Sequence, residues 1–155
     1  MRPPSGYSGS TVITHHVHLR PTLEGTRVVD VTMDLSGEQL LAGAHAVRSV
    51  VTDRYRVAAL ESADDILAMR ELTGLSDELG SLAVPGAISP LTLTVGGVGR
   101  FYDALDAFVR TIGDRAEREG DADALPHVYA IVDGVADAHA AGMRAALDDS
   151  LVSNG

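Results

Sequence analysis

Apolar positions along residues 91–118 change period partway through the segment. LTLTV alternates as a short strand does, two glycines follow, and then the spacing becomes helical. Val98, Phe101, Leu105, Phe108 and Ile112 fall at i, i+3, i+7, i+10 and i+14, with Tyr102 and Val109 on the same side. A stripe of that period is the signature of a helix that buries one face. Both phenylalanines of the chain lie on it, so the core is expected to form around this helix.

The N-terminal half carries the two-residue period. In residues 11–20, Ile13, His15, Val17 and Leu19 share one face, while Thr14, His16, His18 and Arg20 share the other. Residues 26–35 repeat the alternation, with Val29, Val31, Met33 and Leu35 opposite Val28, Asp30, Thr32 and Asp34. The short connection between them predicts a β-hairpin with its apolar faces on one side. Ser36-Gly37-Glu38-Gln39 then matches a capping box, in which the serine oxygen takes the Gln39 amide and the glutamine reaches back. Leu40, Ala44, Val47 and Val51 supply the stripe of the helix it opens, which is expected to end near Asp53.

Beyond that helix, residues 55–60 (YRVAAL) read as a short strand. A second helix starts after Ser62 with Asp64 and Asp65 in its first turn, and buries Ala68, Leu72, Leu75, Leu79 and Leu82. Pro85, Gly86 and Pro90 mark residues 84–90 as a loop. After the break GDAD at residues 120–123, Pro126 suits the first turn of a final helix running to about Asp148. The segments 31–51 and 91–112 share a strand–turn–helix pattern, with few identities between them. Together these elements predict an α+β domain over residues 11–150. A small, mostly antiparallel sheet, made of the hairpin plus one or two short strands, carries about four helices on one face. Residues 1–10, rich in Pro, Gly and Ser, read as a flexible arm, and residues 151–155 as a short tail.

Charge narrows the partners. Twenty-two acids oppose twelve bases, a formal net charge of −10. All the bases are arginine, a usage that points to a high-GC genome. An acidic surface argues against phosphate-backbone binding and against docking on anionic membranes. No stretch approaches the 18 apolar residues of a membrane span, and no signal-peptide core is present, so a cytoplasmic location is expected, with a phage or virion setting left open. Cysteine is absent, which removes disulfides, a thiol nucleophile and thiolate metal ligands from consideration.

His16 and His18 are the strongest candidates for chemistry. Residues i and i+2 on a strand project from one face, and two imidazoles so placed can share a metal ion. Asp30 on the neighbouring strand would complete a His, His, carboxylate set suited to zinc or iron; the same residues also suit a solvated face of favourable His–Asp pairs. The turn at residues 96–100 joins a strand to a helix N-terminus, where phosphates bind, but Tyr102 stands where a dinucleotide fingerprint needs glycine and no lysine completes a phosphate loop. Asp133 and Asp137 put two carboxylates on one helix face without a basic partner at helical spacing. No nucleophile elbow or zinc-protease motif occurs.

Small residues at every fourth position of the last helix, Gly134, Ala138 and Gly142, allow close helix approach. Val135, Ala138, His139 and Gly142 are accordingly expected at an interface, or else closing the domain's own core. The leading functional expectation is a non-enzymatic, acidic interaction or assembly module that binds itself or another protein and needs no cofactor. A metal-binding protein or metalloenzyme built on His16, His18 and Asp30 is the alternative.

Overall fold

The computed structural model describes residues 13–57, 63–112 and 121–154. The arm expected at residues 1–10 lies outside them. Three strands and four helices follow in the order β1 (His15–Pro21), β2 (Arg27–Ser36), α1 (Gly37–Val57), α2 (Ala63–Leu82), β3 (Ile88–Thr94), α3 (Val95–Ile112) and α4 (Asp121–Asn154). The strands form one antiparallel sheet in the order β1-β2-β3, with β2 central. It is the α+β architecture that the two periods predict.

The hairpin pairs Val17 with Val31, Leu19 with Val29 and His18 with Asp30, so its apolar residues share one side. Its loop closes through Thr22 N–H to the Thr26 carbonyl at 2.9 Å, with Gly25 at φ 84°, a left-handed conformation that favours glycine. The capping box forms as the residue types require. The Gln39 amide donates to Ser36 Oγ at 3.1 Å, and the Ser36 amide donates to Gln39 Oε1 at 2.9 Å.

The helices cover one face of the sheet. Val31, Met33, Leu35 and Leu91 on that face are fully buried, as are Val98, Phe101 and Leu105 of α3, and Phe108 nearly so. Both phenylalanines therefore lie in the core, where each large side chain contributes about 1.5–3 kcal/mol through removal from water. α1 adds Leu40, Ala46 and Val47, and α4 adds Val128, Ile131, Val135 and Ala138.

Four local expectations differ from the structure. Residues 55–57 continue α1 instead of opening a strand; residues 58–60 lie outside the described set. The segment expected to be a loop through Pro90 already pairs from Ile88, opposite Ser36. Proline is tolerated there because β3 is an edge strand, and one of its sides has no ladder to donate to. Gly96 and Gly97 are helical, not a turn: β3 passes into α3 without a loop, and Thr94 Oγ1 accepts the Gly97 amide at 3.1 Å. Helix α4 starts five residues before Pro126, with Asp121 and Asp123 in its first turn, where the helix dipole favours acids. It continues to Asn154, through most of the segment expected as a tail.

Candidate functional site

The uncovered face of the sheet is where the sequence placed its candidate chemistry. His18 and Asp30 are direct cross-strand partners, and Asp30 is in turn opposite Thr94. The next row is His16, Thr32 and Thr92, with the two threonine hydroxyls 2.8 Å apart. His16 and His18 are exposed, and the sheet thus brings His16, His18 and Asp30 onto one face.

The carboxylate is already engaged. Arg20 Nε donates to Asp30 Oδ2 at 2.7 Å, and the Asp30 side chain is only 9% exposed. Asp30 holds the Arg20 guanidinium above its ordinary pKa, first through this hydrogen bond and then through its charge, with desolvation acting the other way. A metal ion recruiting Asp30 would have to displace a charge-assisted contact. Among the described residues, no group of three or more His, Cys, Asp or Glu side chains is disposed to hold a metal ion.

A second cluster was not legible in the sequence. His45 of α1 places Nε2 2.6 Å from Oδ1 of Asp121, which is fully buried at the start of α4, and 3.5 Å from Ser49 Oγ. The Phe108 ring meets the imidazole edge-on at 5.9 Å. Serine, histidine and aspartate are all present, but both oxygens meet the same ring nitrogen. Nucleophile activation needs the acid on one nitrogen and the hydroxyl on the other. The cluster ties α1 to α4 rather than forming a relay. His45 and Asp121 are 76 residues apart, so no local spacing announces the pair.

The N-terminus of α3 is poorly suited to an anion. The Gly97 amide is taken by Thr94, and Arg100 pairs with Glu71 at 2.7 Å. The adjoining cavity of about 410 Å³ is lined by Leu72, Leu75 and Leu93, but also by Glu71 and Glu78. Two carboxylates beside a spoken-for arginine oppose a phosphate electrostatically.

Helix α4 divides into two unlike faces. Val135 and Ala138, expected at an interface, are fully buried against the chain's own core. A Cβ added to Gly142 would lie 2.9 Å from Cγ2 of both Val31 and Val95, and one added to Gly99 would lie 3.0 Å from His139 Nε2. The small residues thus let α4 approach β2 and α3 within one molecule. On the far side, Tyr129, Met143 and Leu147 are 51%, 52% and 62% exposed. All three lie on one side of the helix, within about 40° of one line at roughly 100° per residue.

No helix among the described residues is long and apolar enough to cross a membrane. Compared with protein-family models, curated proteins and solved structures, the chain matches none.

Proposed function

We propose that this chain is a non-enzymatic protein-interaction or assembly module that associates with itself or with another protein. The observation that carries the reading is the outer face of α4, where Tyr129, Met143 and Leu147 present apolar surface away from the core. A helix of this length needs only one buried face to be held in its own domain, and a second apolar face gains stability only when something covers it. The acidic balance is compatible with a protein partner and opposes nucleic acid. Light scattering of the purified protein across a wide concentration range, with identification of whatever co-purifies at native abundance, tests this. A monomer at every concentration with nothing bound refutes it.

One observation favours a second reading, a metal-binding protein or metalloenzyme: His18 and Asp30 are cross-strand partners with His16 two residues along. Elemental analysis decides it. Zinc or iron retained by the native chain and lost in His16→Ala/His18→Ala supports this alternative, and metal-free protein after growth in supplemented medium removes it.

A further inference from the structure

We infer that the occupant of the outer face of α4 is a second copy of this chain, whose α4 crosses it antiparallel about a two-fold axis. The inference rests on the interaction reading above and names its partner. Tyr129 and Leu147 are 18 residues apart, five turns at about 3.6 residues per turn, and so lie on one line along the helix. Ala136 and Ala140 fall within about 20° of that line and Met143 within about 40°, at roughly 100° per residue.

This line is self-complementary when reversed. A two-fold axis at the level of residue 138 sets Tyr129 opposite the partner's Leu147, and Ala136 opposite the partner's Ala140. Large apolar side chains then meet at both ends, while alanines at the centre allow the axes to approach to about 8 Å. A closed pair of this kind is what an isologous contact requires.

Charge selects the same direction. Arg144 is the only arginine of α4, and like Asp133 it is exposed near the line. Among the described residues neither forms an ion pair within the chain. Antiparallel pairing brings Asp133 beside the partner's Arg144 on both sides of the axis. Parallel pairing stacks Asp133 on the partner's Asp133 instead, in a chain of net charge −10. The helical contact is about 28 Å long at roughly 1.5 Å per residue, at the small end of specific interfaces, so dissociation in the micromolar range is expected.

The full chain is tested by sedimentation equilibrium. The expected result is a concentration-dependent rise from 16.2 kDa toward twice that mass. Met143→Glu/Leu147→Glu is expected to stay monomeric with an unchanged circular dichroism spectrum. Asp133→Arg alone weakens the dimer roughly two- to five-fold, and adding Arg144→Asp restores it. Because the chain has no cysteine, Ala136→Cys protein mixed with Ala140→Cys protein should form a disulfide dimer under mild oxidation, and far less should form from either variant alone. A dimer unchanged by Met143→Glu/Leu147→Glu overturns this inference and leaves self-association standing through another surface. A monomer throughout overturns the inference and self-association together. Equal cross-linking by Ala136→Cys alone overturns the antiparallel arrangement.

Discussion

Gly142→Ala and Gly74→Ala make the same chemical change in two helix interiors, and the structure assigns them different outcomes. An alanine in place of a helical glycine gains about 1 kcal/mol from reduced backbone freedom in the unfolded chain. At Gly74 in α2 a new Cβ would meet nothing within 4 Å, so that gain is kept whole. At Gly142 the Cβ would stand 2.9 Å from Cγ2 of Val31 and of Val95, where ordinary carbon contacts are about 3.5–4.0 Å. Relief requires movement of roughly 0.6 Å or more. Val31 is fully buried on the central strand and, being β-branched, has little rotamer freedom to give. Overpacking of this kind costs about 1–3 kcal/mol, which cancels or outweighs the helical gain. The two variants should therefore differ by about 1–3 kcal/mol in urea denaturation, with Gly74→Ala the more stable. At roughly 2–4 °C per kcal/mol for a chain of this size, calorimetry should separate their melting temperatures clearly. Equal stabilisation by both would mean that α4 does not approach β2 and α3 as closely as described, and the account of its inner face would fail.

Two further perturbations address the elements that the sequence marks most strongly. Ser36→Ala removes the acceptor of the Gln39 amide at the start of α1 and should cost about 1 kcal/mol in the same urea assay, with an unchanged m-value; no loss would show that the cap contributes nothing in context. Phe101→Ala empties the middle of the core and should cost about 3–5 kcal/mol, while Phe101→Leu, which retains most of the volume and keeps the chain folded for measurement, should cost clearly less; equal small losses would remove Phe101 from the core.

Local patterns carried most of the fold. The alternation of Val17, Val31 and Met33 fixes which way each strand faces, since a slip of one residue would turn that set to solvent, but a slip of two would not, and the pairing of His18 rather than His16 with Asp30 was decided by the folded hairpin. The capping box and the α3 stripe are equally local, the first set within one helical turn and the second along a single helix. Where local signals misled, either the assembled sheet or an overlooked local cap had altered the balance. Pro90 is acceptable in a strand only because β3 lies at an edge, and an edge is a property of the assembled sheet. Thr94 caps α3, so glycines that resemble a turn begin a helix instead.

The candidate site divides along the same boundary. Alternation put His16, His18 and Asp30 on one face, and the sheet keeps them there, but only pairing in three dimensions gave Asp30 to Arg20. The link between His45 and Asp121 spans 76 positions and leaves no periodic trace. Small residues at every fourth position announce that something approaches α4 closely. Whether that is the chain's own sheet or another molecule depends on which way the helix turns when it docks, because close packing rewards either neighbour alike. Folding turned Gly142 and Ala138 inward and left Tyr129, Met143 and Leu147 outside.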